Sequence, residues 1–327
     1  MFTLGGTIAM TPGTASGAVV PKLDAADLLR AIPELADLDV ELSTHDFRRL
    51  PSPDIGFTVM AELATAIEAD IAAGAAGIVV TQGTDTIEET SYFLDRTVGG
   101  DVPIVVTGAM RHPTQASADG PANLLSAIRV AADPVARGLG CVVVMSDEVH
   151  AARYVRKSHS TSTKAFTSPN AAPIGHIVEN EVVLLSRPRP CPPLRRGDRM
   201  STTSIGTVHA ALGDDGTWLK PFAEHTDGLV IAGFGGGHVP SRLVPLLAEI
   251  AEAKPVVLAS RTGSGPVLRR TYGYPGSEQD LLSRGLINAG FLDPFKARVL
   301  LHVLVAAGAD HGEITDAFSD AGEIRVS

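Results

Sequence analysis

Cysteine is scarce in this chain, and neither the cysteines nor the histidines have a metal-binding spacing. Only two of the 327 residues are cysteine, Cys141 in an apolar segment and Cys191 in a proline-rich one. Two isolated cysteines form neither a disulfide framework nor a metal site, which is typical of a protein from a reducing compartment. The ten histidines include no HExxH pair. The sequence therefore predicts neither a bound metal nor another cofactor.

Long apolar runs and an excess of basic residues are absent as well. No stretch reaches the roughly 18 apolar residues that a membrane helix requires, and the chain opens Met-Phe-Thr-Leu without the pattern of a signal peptide. The 37 acidic residues outnumber the 27 basic ones, which gives a formal net charge of −10. Such a charge argues against nucleic acid or an anionic membrane surface as a partner. We expect a cytoplasmic protein whose ligand is a small molecule.

The length and the order of apolar segments predict two α/β domains. At 327 residues, 44% of them hydrophobic, the chain is too long for one ordinary core. Short runs rich in valine and isoleucine end in glycine, threonine or serine, and most precede a helical pattern, which is typical of a mainly parallel sheet. The predicted strands cover residues 2–4, 78–80, 104–106, 142–145, 229–232 and 256–259.

Helices are predicted between these strands wherever apolar residues recur at three- and four-residue spacing. They cover residues 28–31, 57–73, 121–132 and 243–253. Residues 187–200 are dense in proline and arginine and lack this periodicity, so they predict a linker. The expected fold is an α/β protein with a larger, doubly wound N-terminal domain of mainly parallel sheet, residues 1–186. A smaller C-terminal α/β domain with a parallel sheet would span residues 201–327.

Two hydroxyls and a carboxylate lie within three residues in the segment TQGTDTIEET, residues 81–90. The segment directly follows a predicted strand, and open α/β sheets place their chemistry at the carboxyl ends of such strands. Thr86 and Glu89 have the spacing of a capping box, which predicts that Thr86 closes the start of a helix over residues 87–96. Thr84 and Asp85 would then face the crevice.

A second candidate segment, Gly5-Gly6-Thr7, follows the first predicted strand. Its glycines let the backbone approach a ligand closely and hold Thr7 on a tight turn at the sheet edge. A threonine hydroxyl needs a base before it can act as a nucleophile. Asp85 is one candidate and Lys157 is another, because a lysine beside a carboxylate can either shuttle a proton or hold the carboxylate in place. The sequence does not choose between these roles.

Five blocks of the sequence resemble the bacterial-type L-asparaginases, a family that includes glutaminase-asparaginases. The blocks are GGTIA at residues 5–9, TQGTDTIEET at 81–90, VTGAMR at 106–111, SADGPANL at 117–124 and DPFKARVLL at 293–301. The likeness covers essentially the whole chain, and the second and fourth blocks each combine glycines, hydroxyls and an acid in a fixed order. The resemblance implies an amidohydrolase in which a threonine is acylated by the side-chain amide and then released by water.

The resemblance also implies roles for individual residues. Thr7 corresponds to the nucleophile and Thr84 to the second catalytic threonine, while Asp85 and Lys157 complete the group that handles protons. Ser52 matches the serine that binds the α-carboxylate of the substrate. Asp85 would also meet the α-ammonium of the substrate.

Further features implied by the resemblance concern the oxyanion and the assembly. Backbone N–H groups near Thr84 and Ala109 are expected to form the oxyanion hole. Members of the family are tetramers built from intimate dimers, and an acid from the neighbouring subunit completes each site. That acid corresponds to Glu278 in this chain, so a homo-oligomer, dimer or tetramer, is expected.

Three departures from the family pattern affect substrate recognition. The family's mobile loop carries a tyrosine, but residues 10–22 contain none, with Ala18 or Val19 near the expected place. Pro53 replaces a glutamine that follows the substrate-binding serine and offers no side-chain hydrogen bond. His238 stands where many relatives have an asparagine. The affinity and the preference between asparagine and glutamine therefore do not follow from the resemblance.

The function expected from these observations is that of a cytoplasmic L-asparaginase, which releases L-aspartate and ammonia without a cofactor. Glutamine or another small amide is an alternative substrate, and the ammonia-releasing subunit of a tRNA-dependent amidotransferase is a further alternative, although that subunit type usually carries an additional N-terminal domain. From a different class, the chain could be a non-catalytic amino-acid or nucleotide sensor that keeps the fold. Ammonia release separates the enzymes from the sensor.

Overall fold

The computed structural model describes residues 1–12, 19–21 and 23–323, and these form two compact units. The first unit comprises Met1–Pro193, and the second begins at Leu194. The division falls inside residues 187–200, where the sequence predicts the linker. None of the helices in the described ranges has the length and apolar character needed to cross a membrane.

The first unit contains twelve strands and four α-helices among its described residues. The strands are β1 Phe2–Thr3, β2 Met10–Pro12, β3 Val19–Pro21, β4 His45–Asp46, β5 Ile78–Thr81, β6 Ile104–Thr107, β7 Cys141–Met145, β8 Glu148–Ala151, β9 Arg156–Lys157, β10 Phe166–Thr167, β11 Gly175–Val178 and β12 Glu181–Leu184. The helices are α1 Ala25–Arg30, α2 Phe57–Ala72, α3 Ile87–Thr97 and α4 Gly120–Ala132. Short 3-10 helices include Thr7–Ala9, Ser52–Asp54 and Thr84–Thr86.

Eight of these strands form one mixed sheet in the order β12-β11-β8-β7-β6-β5-β1-β4. The strands from β4 to β7 along this order pair in parallel, whereas β8, β11 and β12 pair antiparallel. Every residue of β5, β6 and β7 is buried, because α3 and α4 pack on this part of the sheet. Burial on both faces explains why these strands are apolar runs without alternation.

The second unit contains a four-stranded parallel sheet in the order β13-β14-β15-β16. Its strands are β13 Ile205–His209, β14 Gly228–Gly233, β15 Val256–Ser260 and β16 Ile287–Asn288. Its helices are α5 Leu219–Glu224, α6 Val244–Ala253, α7 Glu278–Ser283, α8 Pro294–Ala307 and α9 His311–Ala321. The predicted fold class is confirmed: a large, mainly parallel sheet in the first unit and a smaller parallel sheet in the second.

Two fully buried histidines, one in each unit, should make the fold sensitive to acid. Burial lowers the pKa of His150 and of His302 to about 4, outweighing the opposing effects of Glu148 on the first and of the Met200 carbonyl on the second. An unfolded histidine titrates near pH 6.5. Between about pH 6.5 and pH 4 the folded chain therefore binds fewer protons than the unfolded chain. The stabilisation is therefore complete above about pH 6.5 and is lost as the pH falls towards 4, by about 3 kcal/mol for each ring.

We expect His302→Gln to reduce the loss of thermal stability between pH 7 and pH 4.5, because glutamine does not gain a charge in this range. His225→Gln is the matched control, since His225 is exposed. Differential scanning calorimetry at both pH values measures the effect. An equal loss of stability in His302→Gln and in the unmodified chain would contradict the assignment.

Candidate active site

Two candidate loops follow adjacent parallel strands at the same level of the sheet. β1 pairs with β5 in the register Phe2↔Val80 and Thr3↔Thr81, and the Leu4 N–H donates to the Thr81 carbonyl at 2.9 Å. The loop that carries Thr7 and the loop that carries Thr84 therefore leave the same sheet edge side by side.

The two loops are in direct backbone contact through glycine. Gly6 has a φ of 83°, and a Cβ atom at this position would lie 2.0 Å from the Gly83 nitrogen. Gly5, with a φ of 95°, approaches a third segment, since its Cβ would lie 2.9 Å from the Leu50 carbonyl oxygen. Only glycine tolerates both this conformation and these distances. The GG pair therefore joins the segment that carries Thr7 to both of its neighbours.

Ser52 connects the third segment to the Thr84 loop. A Cβ on Gly83 would lie 2.7 Å from Ser52 Oγ. The Asp85 N–H donates to Ser52 Oγ at 3.3 Å, and Ser52 Oγ lies 3.5 Å from Asp85 Oδ2. Ser52 is 4% exposed, so its hydroxyl is held within the loop cluster.

The predicted capping box of Thr86 and Glu89 is wrong. Thr86 is the N-cap residue of α3, but its side chain makes no capping hydrogen bond. It is the last residue of the 3-10 helix Thr84–Thr86, and its Oγ1 donates to the Ser52 carbonyl at 3.1 Å instead. The hydroxyl therefore joins two loops rather than closing a helix, which the local spacing could not indicate.

Lys157 brings the hydroxyl of Thr84 and the carboxylate of Asp85 together. Its Nζ donates to Thr84 Oγ1 at 2.8 Å and to Asp85 Oδ1 at 2.6 Å. The Lys157 side chain is 12% exposed, whereas that of Asp85 is 61% exposed. The amine is thus largely shielded from water while the carboxylate is open to a ligand. A hydroxyl, an amine and a carboxylate in this order form a path along which a proton can move.

Glu88, which the motif analysis assigned no role, positions this amine. Its side chain is 6% exposed, and Oε2 accepts from the Lys157 backbone N–H at 3.2 Å. Lys157 lies on the short strand β9, which pairs with β10. The acid on α3 therefore fixes the strand that carries the lysine. A buried acid in the first turn of a predicted helix was the signal available in the sequence.

Backbone donors face the same region from the loop after β6. Among the described residues, the N–H groups of Thr84 and Ala109 donate to no acceptor. The preceding glycine packs tightly, because a Cβ on Gly108 would lie 3.3 Å from Thr84 Cγ2. The loop is held by Asp119, whose carboxylate accepts the N–H groups of Met110 and Arg111 at 3.0 and 2.8 Å. Unpaired N–H groups of this kind can stabilise a negatively charged oxygen.

Asn123 completes the support of this loop and is a second residue that the sequence analysis missed. Its amide donates to the Gly108 carbonyl and to Asp119, both at 3.1 Å, and its Oδ1 accepts from the Ser146 N–H at 2.9 Å. Both Asp119 and Asn123 belong to the SADGPANL block, so the block itself was the signal. Asp119 is the N-cap residue of α4, but its side chain makes no capping hydrogen bond, because its carboxylate binds the neighbouring loop.

The remaining sequence candidates lie elsewhere. Glu278 begins α7 in the second unit and is fully buried there. Its Oε1 accepts the N–H groups of Thr271 and Tyr272 at 2.8 Å each, and Oε2 lies 3.2 Å from His238 Nε2. Burial by itself would raise the pKa of Glu278, but these hydrogen bonds outweigh burial and lower it. These contacts favour the ionised form of Glu278.

The tyrosine-free loop is described only in part. Val19 lies on β3, which pairs with β2 in the register Pro12↔Val19. Ala18, the other position near the expected tyrosine, lies outside the described residues. In the parts of the chain that the structure describes, no group of three or more histidine, cysteine, aspartate or glutamate side chains is arranged to hold a metal ion.

The Lys157 amine is shielded and lies between the Thr84 hydroxyl and the open Asp85 carboxylate, an arrangement suited to the activation of a hydroxyl nucleophile in a hydrolase. Two family models match the chain: "Asparaginase, N-terminal" over residues 1–190 and "Glutaminase/Asparaginase C-terminal domain" over residues 204–318. The chain belongs to the asparaginase family and is an amidohydrolase, which confirms the predicted family and enzyme class.

Three relatives illustrate this membership. A probable L-asparaginase of Deinococcus radiodurans is 40% identical, and the match covers 96% of this chain and 95% of that protein. A glutaminase-asparaginase of Pseudomonas aeruginosa is 31% identical over 97% of this chain and 89% of that protein. The crystal structure of a probable cytoplasmic L-asparaginase from Campylobacter jejuni matches with a TM-score of 0.86 and 32% identity, covering 97% of this chain and 98% of that one.

Proposed function

We propose that this protein is an L-asparaginase that hydrolyses L-asparagine to L-aspartate and ammonia through an acylated threonine. The observation that carries the proposal is the pair of hydrogen bonds from Lys157 Nζ to Thr84 Oγ1 and Asp85 Oδ1. It supplies the proton-handling group that a threonine nucleophile requires. Membership of the asparaginase family supports L-asparagine as the substrate.

In the first step, Thr7 Oγ1 attacks the side-chain amide carbon of asparagine. The Thr7 proton passes to the departing nitrogen, which leaves as ammonia, and an ester forms between Thr7 and the aspartyl group. In the second step a water molecule attacks the ester carbon and gives its proton back to Thr7 Oγ1, releasing aspartate. Thr84, Lys157 and Asp85 carry the protons in both steps, because Lys157 bridges the other two side chains.

Both steps place negative charge on the carbonyl oxygen of the substrate. The N–H groups of Thr84 and Ala109 are the donors proposed to stabilise this oxygen, since neither has an acceptor among the described residues. Ser52 would bind the α-carboxylate and Asp85 the α-ammonium. Asp85 suits the second role because its side chain is 61% exposed and retains oxygen atoms for a cationic ligand.

The proposed recognition predicts that the enzyme rejects an analogue of asparagine without the α-amino group. Asp85 would be left without its cationic partner, and losing such a pair at a binding site costs about two orders of magnitude or more in kcat/KM. Ammonia release from both compounds under identical conditions measures the ratio. Equal kcat/KM values for the two compounds would contradict the role of Asp85 in substrate binding.

Glutamine is the second candidate substrate, because the Pseudomonas relative is named a glutaminase-asparaginase. The chemistry of the two amides is the same and their length differs by one methylene group. A pocket distinguishes one methylene group by only about 10- to 200-fold. Ammonia release from asparagine and from glutamine in parallel decides between them, and turnover of neither would favour the non-catalytic sensor.

A neighbouring subunit is proposed to complete the site with Glu278. We expect Glu278→Gln to be inactive, and mixing tests whether the residue acts across subunits. In a mixed dimer with Thr84→Val, one site would combine an intact Thr84 with an intact Glu278 and would regain activity. If Glu278 serves its own chain, both sites of the mixed dimer stay inactive. The mixture should be refolded together so that the subunits exchange.

A cytoplasmic location is proposed on two grounds. The Campylobacter structure is that of a probable cytoplasmic L-asparaginase, and this chain has only two cysteines, which form no disulfide framework. Fractionation of the native cells with an antibody to the protein tests this location.

A further inference from the structure

The last turn of α3 contains a buried arginine whose guanidinium group is only partly hydrogen-bonded among the described residues. Arg96 is 4% exposed, and its Nε and Nη1 atoms have no hydrogen-bond partner there. Tyr92 precedes it by one helical turn, is 1% exposed, and its hydroxyl is also unpartnered. Residues four apart lie on the same helix face. This face of α3 therefore presents a cation and a phenol to one buried region.

The carboxylate nearest in sequence is already occupied. Asp95 Oδ2 lies 3.5 Å from Arg153 Nη2, and Oδ1 accepts the Cys141 N–H at 3.2 Å. Arginine stays protonated in proteins, so it cannot escape the cost of burial by losing its proton. Arg96 and Arg153 therefore place two positive charges beside the single carboxylate of Asp95.

Cys191 lies beside this cluster. The chain that follows it packs at the end of α3, because a Cβ on Gly99 would lie 2.9 Å from Pro193 Cγ. Burial opposes the charged form of Arg96, whereas Tyr92 and Cys191 both raise the pKa of Arg96. Cys191 is partly exposed. Reactive cysteines are typically found in such electropositive, partly exposed surroundings.

We propose that Cys191 is a redox-modification site that exchanges with small disulfides bearing negative charge. The co-reactant belongs to the class of low-molecular-weight anionic disulfides. The Cys191 sulfur attacks one sulfur of this disulfide and loses its proton to water, a new S–S bond forms, and the second half of the disulfide leaves as a thiolate. Arg96 and Arg153 attract the incoming anion, and the exposed Arg189, two residues before the cysteine, adds to this attraction.

The selectivity for anionic reagents distinguishes this site from an ordinary surface thiol. The whole chain has a formal net charge of −10, and its overall field would repel anionic reagents and attract cationic ones. The local arginines predict the opposite order. A preference for the anion would therefore report the immediate surroundings of Cys191.

Cys141 provides an internal control. It lies in β7, is 1% exposed, and burial raises its pKa well above the ordinary value. We expect the native full-length protein to react with 5,5′-dithiobis(2-nitrobenzoate), a dianionic disulfide, at one thiol per chain, and expect Cys191→Ser to abolish this reaction. The reaction of both thiols at similar rates, or none in the unmodified protein, would overturn the proposal.

The decisive measurement compares this dianionic reagent with cystamine, a dicationic disulfide, at low and high salt. Each rate constant of Cys191 is divided by the rate constant of glutathione thiolate, the free reference thiol, with the same reagent. On this scale Cys191 should favour the anionic reagent by about tenfold or more at low salt, and the preference should shrink at high salt. Preference for cystamine would overturn the proposal, and this test needs no variant.

Arg96→Met should reduce the anionic preference by about tenfold, whereas Arg96→Lys should retain most of it, because it keeps the charge. Arg30→Met removes the same charge from the exposed surface of α1 and should leave the preference unchanged. Equal effects of the Arg96→Met and Arg30→Met changes would overturn the role of Arg96. Circular dichroism confirms that each variant is folded, and the unmodified chain decides the question if Arg96→Met does not fold.

Discussion

Replacing Thr84 with valine should lower the rate of ammonia release from asparagine by about a thousandfold or more while the chain stays folded. Valine keeps the shape of threonine and the packing of Cγ2 near Gly108. It removes the hydroxyl that accepts from Lys157 Nζ at 2.8 Å, and with it the first link of the proton path. Thr7→Ala should have an effect of similar size, because it removes the proposed nucleophile.

Two control variants make these expectations specific. Thr84→Ser retains the hydroxyl and should keep substantial activity. Thr65→Val removes a hydroxyl from α2, where Thr65 Oγ1 donates to the Ala61 carbonyl, and should leave activity unchanged. Steady-state kinetics with circular dichroism measure all four proteins. Full activity in either Thr7→Ala or Thr84→Val would refute the proposed mechanism.

The second large effect is expected from Gly6→Ala, which adds one methyl group between the loops that carry Thr7 and Thr84. The new Cβ would lie 2.0 Å from the Gly83 nitrogen, which is a backbone atom and cannot rotate away. The loops must therefore separate. We expect a loss of about 3 kcal/mol or more in the free energy of unfolding. Activity should fall by about a hundredfold or more, since small misplacements of reacting groups are costly.

Gly100→Ala separates the contribution of the clash from that of the backbone conformation. Gly100 has a φ of 103°, and a Cβ there would meet nothing within 4 Å. This variant should lose only about 1 kcal/mol and keep full activity. If Gly6→Ala behaves like Gly100→Ala in both stability and activity, the loops are not held together in the way described.

The sequence predicted the parts of the site that depend on strand ends. Apolar runs without alternation indicated the buried parallel strands, and the polar residues that follow two of them are Thr7 and Thr84. Their proximity rests on the pairing of β1 with β5, a neighbour relation that is common in α/β sheets. Local pattern therefore placed each loop at a strand end, and the pairing of the two strands brings the loops to one sheet edge.

Contacts between segments distant in the chain could not be predicted from spacing. The bond between Lys157 and Thr84 joins residues 73 positions apart. The residue pattern named Lys157 only as one of two candidate bases, and the resemblance grouped it with Thr84 and Asp85. The capping prediction for Thr86 was wrong for the same reason, because its hydroxyl binds the Ser52 carbonyl 34 residues away. The sequence analysis assigned no role to Arg96. Its burial, at 4% exposure, is a property of tertiary packing that the helical pattern does not indicate.

The structure of the enzyme with bound L-aspartate tests the central claim most directly. The account predicts one aspartate per site, with its side-chain carboxylate between Thr7 Oγ1 and Thr84 Oγ1, its α-carboxylate at Ser52 and its ammonium at Asp85. A well-ordered aspartate bound away from both threonines, with Thr7 and Thr84 unable to reach the same carbon atom, would contradict it.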